Sequence, residues 1–157
     1  MIAWNAPGVG GSSDPPESFG MAGYADALAG FIAALGLGAP HVAGLSFGGA
    51  LALYRRHPEV PRTLVLASAY AGWGGSLPPE VADQRLRQAL VLADLPPDEF
   101  VGTLLPTMFS PGTDPVAVEA FGAAMRAFHP AGFRAMARAS AENLRDVLPH
   151  MKVPTLL

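Results

Sequence analysis

The sequence contains no cysteine and a single lysine among its 157 residues. Without cysteine it has no disulfides, no iron–sulfur cluster and no thiolate zinc site. Ten Lys and Arg residues stand against 13 Asp and Glu residues, which gives a net charge of −3. A nucleic-acid-binding domain needs a basic surface to neutralise phosphates, so we expect no nucleic-acid partner.

Export and membrane signals are also scarce. The first residues lack the basic stretch and the long apolar stretch of a signal peptide. Residues 27–54 contain no Asp, Glu, Lys or Arg, but Gly36, Gly38 and Pro40 interrupt them. We therefore expect no membrane association and a cytoplasmic location, with this stretch folded as a buried helix, strand and helix.

Half of the residues are apolar and the mean hydropathy is +0.30, so the chain can form one domain with a core. Short apolar runs between Gly and Pro predict strands at 2–4, 41–45, 63–67 and 153–157. Apolar residues at helical spacing predict a helix from Tyr24 to Leu35, and others at 48–56, 79–93, 97–105, 114–128 and 131–147. Residues 71–76 are predicted to be a flexible connector. This order predicts an α/β fold, a partial doubly wound parallel sheet with an inserted all-helical block.

The segment Gly44-Leu45-Ser46-Phe47-Gly48 matches the pattern G-x-S-x-G. It lies where a predicted apolar strand ends and a helix rich in small residues begins. Such a turn forces the serine backbone into an unfavourable conformation and exposes its Oγ at the carboxyl end of the sheet. The pattern therefore favours a nucleophilic Ser46, and the alternative is a serine that only caps the helix.

Several segments together resemble the α/β-hydrolase superfamily, of the type with a helical cap. The loop Ala6-Pro7-Gly8-Val9-Gly10-Gly11-Ser12 is similar to the D-x-P-G-x-G-x-S loop after the family's fourth strand, with Asn5 in place of the common Asp. The segments 62–66 and 148–157 resemble the sixth strand and the approach to the seventh. The resemblance divides the chain into 1–72, an incomplete hydrolase core with strands four to six, 73–147, the helical cap, and 148–157, the return to the core.

The resemblance implies a serine hydrolase, esterase-like, that acts on a small ester, lactone or related acyl substrate. Ser46 would be the nucleophile and the backbone N–H of Phe47 one donor of the oxyanion hole. In the family the acid and the catalytic histidine come later in the chain, and none of the four histidines stands at the base's position. We therefore expect a fragment of a longer hydrolase, inactive and poorly folded by itself.

Other interpretations of the sequence stay open. The chain is alternatively a non-catalytic truncated product or an interaction module whose open sheet edges bind a partner strand. A dinucleotide loop is disfavoured because Ser13 stands at the third glycine of G-x-G-x-x-G, and no lysine completes a phosphate-binding loop. We expect no cofactor and no metal, and the oligomeric state is open. An apolar acyl pocket, or else ordinary packing, is predicted for Tyr70, Trp73, Met108, Phe109, Phe121, Met125 and Phe128.

Overall fold

A computed structural model describes residues 1–47 and 49–157, and Gly48 lies outside the described residues. Its sheet has three parallel strands, β1 (His41–Leu45), β2 (Thr63–Ala67) and β3 (Thr155–Leu156), in the order β1-β2-β3. The strands predicted at 41–45 and 63–67 are confirmed. The strand predicted at 153–157 is shorter, because only Thr155 and Leu156 pair with β2.

The described part of the chain has seven helices, and four of them begin with a proline. Proline suits the first helical position because the N–H that it lacks would have no partner in the helix. The helices are α1 (Gly20–Ala34), α2 (Gly49–Arg56), α3 (Trp73–Ser76), α4 (Pro79–Ala93), α5 (Pro97–Leu104), α6 (Pro115–Arg126) and α7 (Pro130–Ser140), with 3-10 turns at Leu105–Thr107 and Arg145–His150. The α/β class and the partial parallel sheet are confirmed. Of the described residues, no helix is both long and apolar enough to cross a bilayer.

The helix predicted at 131–147 is shorter, because α7 ends at Ser140. Two other predictions about local structure are wrong. Residues 2–4 form no strand; Trp4 instead packs on the core, with its ring 6.3 Å from that of Phe31. A strand needs the backbone groups of a neighbour, and no described segment supplies them here. The connector predicted at 71–76 contains α3, and its Gly72 and Gly75 are buried.

The sheet is covered on one face. Leu64 and Leu66 of β2 are buried in a cluster with residues of α1 and α2. On the opposite face, Leu45, Val65 and Leu156 are 73%, 37% and 65% exposed. A parallel sheet is ordinarily buried on both faces. The residues 63–67 are continuously apolar, as in a strand buried on both faces, but in this structure only one face of the strand is buried.

The ends of α1 are fixed by distant and local partners. At its start, the Glu142 carboxylate accepts a hydrogen bond from the Met21 N–H at 2.8 Å. At its end, Gly36 has a φ of +63°, the Leu37 N–H donates to the Ile32 carbonyl, and the Gly36 N–H donates to that of Ala33. This is the Schellman arrangement, in which a glycine with positive φ ends a helix.

The hydroxyl of Tyr24 is the one buried side-chain polar atom without a hydrogen-bond partner in the described residues. Burial raises the pKa of this phenol to about 12. We expect Tyr24→Phe to raise the free energy of unfolding by about 1 kcal/mol, because it removes a desolvated, unpaired group. Urea titration of the full-length protein measures this change.

The matched control is Tyr54→Phe. The Tyr54 hydroxyl donates to the His150 carbonyl at 3.2 Å and accepts from the Lys152 N–H at 2.9 Å. Its removal leaves those two backbone groups without this partner and should lower stability. Equal losses of stability in both variants would contradict the prediction for Tyr24.

Candidate active site

Ser46 lies directly after β1, and α2 begins three residues later at Gly49. Its φ is +56°, a left-handed conformation that is costly for any residue with a side chain. The Ser46 N–H donates to the Ala67 carbonyl at 2.9 Å, which continues the pairing of β1 with β2. The side chain is exposed. Strand, strained serine and helix thus follow one another as the motif predicts, while Gly48 lies outside the described residues.

Gly44 allows β1 and α2 to approach closely. A Cβ atom at this position would lie 2.8 Å from the Cβ of Ala50, which is closer than two such carbons can come. We expect Gly44→Ala to lower the free energy of unfolding by about 1–3 kcal/mol, the usual cost of overpacking.

The double variant Gly44→Ala/Ala50→Gly tests this explanation, since it removes the methyl group that the new one would meet. Its free energy of unfolding should exceed that of the single variant Gly44→Ala, as measured by urea titration. If the double variant is no more stable than Gly44→Ala, the contact with Ala50 does not explain why residue 44 is a glycine.

Phe47 is packed against the core by one aromatic ring, and a second ring contacts the first. The Tyr24 ring of α1 meets Phe47 edge to face at 5.2 Å, and Phe19 meets Tyr24 in the same way at 5.0 Å. Such pairs stabilise beyond the area they bury. The residue next to Ser46 is thereby held by the buried face of α1.

The predicted oxyanion donor has a partner in this structure. The Phe47 N–H donates to the Leu45 carbonyl at 2.8 Å, across the strained Ser46. A donor to a tetrahedral intermediate would have to leave this bond or share it. The oxyanion role of Phe47 therefore stays a prediction.

Three of the four histidines have side-chain partners away from Ser46. His41 contacts the Thr63 hydroxyl through Nδ1 at 2.8 Å, at the end of β1 away from Ser46. His57 contacts Asp26 at 2.7 Å, beyond the far end of α2, and His129 contacts Asp14 at 2.7 Å. In residues 1–47 and 49–157, no hydrogen bond joins a histidine to Ser46.

Asp26 links α1 to the end of α2. Its Oδ1 accepts from Arg56 Nε at 2.6 Å and from His57 at 2.7 Å. These hydrogen bonds, that of Arg56 first and that of His57 second, hold the pKa of the Asp26 carboxyl below its ordinary value. The cluster is exposed and joins α1 to the end of α2, so the role of His57 here is structural.

The loop 8–17 is fastened to α7. Gly8 and Gly132 touch through their backbones, and a Cβ on Gly8 would lie 2.4 Å from the Cα of Gly132. Glu17 pairs with Arg134 at 3.1 Å and with Arg138 at 3.2 Å. Sequence reasoning missed these contacts, as it missed the pair of Asp14 and His129, because the partners lie 115 residues or more apart and share no local pattern.

A small apolar cavity lies among the helices of the 73–147 segment. Its volume is about 20 Å³, enough for about one water molecule. Met125 and Phe128 line it, as two of the predicted pocket residues, together with Phe100, Phe133 and others. Phe109 and Phe121 instead form an edge-to-face pair at 5.4 Å, and Trp73 lies under the Arg85 guanidinium. The acyl pocket stays a prediction, since this cavity is too small for an acyl chain.

Comparison with known protein families shows to which family a chain with this strand, strained serine and helix belongs. A model described as the alpha/beta hydrolase family matches residues 1–157. The chain belongs to the alpha/beta hydrolase family. The match covers all of the segments on which the resemblance was based, including the serine turn after β1.

Individual alpha/beta hydrolases are similar over part of their length. A poly(3-hydroxyalkanoate) depolymerase from Ectopseudomonas oleovorans is 43% identical over 74 residues, which are 46% of this chain and 26% of that protein. A thermophilic esterase from Thermogutta terrifontis is 27% identical with a TM-score of 0.82, and a hydrolase from Pseudomonas aeruginosa PA01 is 26% identical with a TM-score of 0.80. Each structure covers 96% of this chain, and the chain covers 57% of each.

The expectation that this sequence is part of a longer hydrolase agrees with that coverage, because the chain spans little more than half of each of the two structures. The division into a core, a cap at 73–147 and a return at 148–157 stays a prediction. So does the cytoplasmic location.

Proposed function

We propose that Ser46 is the nucleophile of a serine hydrolase that acts, in its full length, on a small ester, lactone or related acyl substrate. The observation that supports this most is the left-handed φ of +56° at an exposed serine between a strand and a helix. Strain of this kind persists where the surroundings enforce it, and it concentrates at functional sites.

The proposed reaction has two steps. In the first, Ser46 Oγ forms a bond to the acyl carbon, the ester C–O bond breaks, and the Oγ proton passes through a base to the leaving alcohol. In the second, water attacks the acyl-enzyme, the acid is released and the proton returns to Ser46 Oγ. The base and its orienting acid would come from the part of the protein that the relatives have beyond the matched region.

The relatives support a substrate with an acyl–oxygen bond. One similar structure is named as an esterase, and the similar curated protein is named as a depolymerase of a polyester of 3-hydroxy acids. Esters of unsubstituted and of 3-hydroxylated acyl groups are therefore both candidates. The proposed reaction is the same for both kinds of ester, because Ser46 Oγ attacks the acyl carbon of the ester group in each.

The experiment is covalent labelling of the full-length protein with a fluorophosphonate, followed by mass mapping of the labelled peptide. We expect one label on Ser46, none in the variant Ser46→Ala, and undiminished labelling in Ser13→Ala, which changes an exposed serine of the loop 8–17. Absence of a label, or a label that persists in Ser46→Ala, would reject the proposed nucleophile.

A second candidate, an interaction module, is favoured by the uncovered face of the sheet. Leu45, Val65 and Leu156 form an exposed apolar surface there. Large exposed apolar surfaces mark contacts with other polypeptide. Concentration-dependent association of the full-length protein, measured by sedimentation without any labelling of Ser46, would favour this candidate over the hydrolase.

A further inference from the structure

A second serine shares the unusual backbone of Ser46. In the described residues, Ser46 and Ser68 are the two non-glycine residues with positive φ, at +56° and +47°. Both side chains are exposed. A left-handed conformation at a residue with a Cβ is unfavourable, so its presence at two serines calls for a common cause.

The two serines occupy equivalent places on neighbouring strands. Leu45 and Ala67 are register partners at the ends of β1 and β2, and each serine is the next residue. The hydrogen bond from the Ser46 N–H to the Ala67 carbonyl keeps the chains paired up to this point. Neighbouring strands are about 4.8 Å apart, so the two serines leave the sheet from adjacent positions at its carboxyl edge.

The segment after Ser68 is fixed rather than loose. The Ala71 N–H donates to the Ser76 hydroxyl at 3.0 Å, and the Ala71 carbonyl accepts from the Leu144 N–H at 2.8 Å. Gly72 is buried against the backbone of Glu142. The tertiary structure thus fixes the chain from Ala71 onward, three residues after Ser68.

The spacing limits what a hydroxyl at residue 68 can contact. An acyl carbon under attack lies against Ser46 Oγ, and a side chain one strand away reaches groups a few bonds further along the substrate. An oxygen on the third carbon of the acyl chain is three bonds from the acyl carbon. An O–H donor needs such an acceptor at about 2.8 Å.

We propose that Ser68 is a specificity-determining residue whose hydroxyl donates a hydrogen bond to an oxygen on the acyl chain of a substrate bound at Ser46. This inference rests on the proposed function, because it requires acyl transfer to Ser46. Among the proposed substrates, Ser68 would favour those that carry an oxygen on the acyl chain.

The test compares two esters that differ in this oxygen, p-nitrophenyl butyrate and p-nitrophenyl 3-hydroxybutyrate, with the full-length protein. In Ser68→Ala we expect kcat/KM for the hydroxylated ester to fall about tenfold, as for one lost hydrogen bond, while that for the butyrate changes less than about twofold. Ser68→Gly accepts positive φ without strain, so the same selective loss in this variant assigns the effect to the hydroxyl.

Other outcomes overturn the assignment. Equal losses on both esters in Ser68→Ala would show that the hydroxyl does not contact the acyl oxygen, and so would unchanged kcat/KM on both. In either case, persistent labelling of Ser46 by the fluorophosphonate would leave the proposed function standing. If the wild-type protein hydrolyses neither ester and Ser46 takes no label, the proposed function fails and the role of Ser68 fails with it.

Discussion

Replacing Ser46 with alanine should lower kcat/KM for p-nitrophenyl butyrate by at least about 10³-fold in the full-length protein. The reason is that the Oγ atom forms the covalent bond in the proposed mechanism, and alanine has no atom that can form it. Removal of one member of a catalytic triad leaves only the rate that binding and oxyanion stabilisation provide. Steady-state release of p-nitrophenol measures this loss.

Two controls make the result specific. The variant Ser13→Ala, at an exposed loop serine, should keep kcat/KM within about twofold, as surface substitutions usually do. The urea midpoint of Ser46→Ala should not fall below that of the wild type, because alanine keeps the same strained turn and removes only an exposed hydroxyl. A variant Ser46→Ala that keeps a tenth or more of wild-type kcat/KM would contradict the assignment.

How far the sequence predicts this structure depends on whether a feature is local. The strands 41–45 and 63–67 and the helix at 79–93 are confirmed because apolar periodicity and flanking Gly or Pro act within a few residues. The strand at 2–4 is wrong because pairing requires a neighbour, which a local pattern does not provide. The family and the partial sheet are predicted correctly from motifs that are themselves local.

The features of the candidate site also differ in whether a local sequence pattern predicts them. The position of Ser46 between strand and helix is predicted from the 44–48 motif. The place of Ser68 next to Ser46 depends on the register of β1 with β2, which no motif encodes, and no local pattern predicts its φ of +47°. The engagement of the Phe47 N–H with Leu45 likewise depends on the geometry of the turn. Local chemistry is therefore readable in sequence, whereas the residues that surround it depend on tertiary pairing.

Gly72 is the clearest case of a residue whose importance is tertiary. It is buried, has a φ of +73°, and directly precedes α3. A Cβ atom there would lie 1.8 Å from the Glu142 carbonyl oxygen, a backbone atom that cannot rotate away. The adjacent Ala71 carbonyl accepts the Leu144 N–H, so movement of either segment would break this contact. The composition of 71–76 predicts flexibility, whereas its glycines allow two backbones to touch.

Gly72→Ala should therefore lower the free energy of unfolding of the full-length protein by roughly 3 kcal/mol, from left-handed strain together with overpacking. Gly36→Ala is the matched control, because Gly36 has a similar φ of +63° and no atom within 4 Å of an added Cβ. That variant should lose only about 1 kcal/mol, since it bears the strain alone. Urea titration measures both losses, and their difference is the cost of separating Gly72 from Glu142. Equal losses in the two variants would mean that this backbone contact does not hold the two segments together.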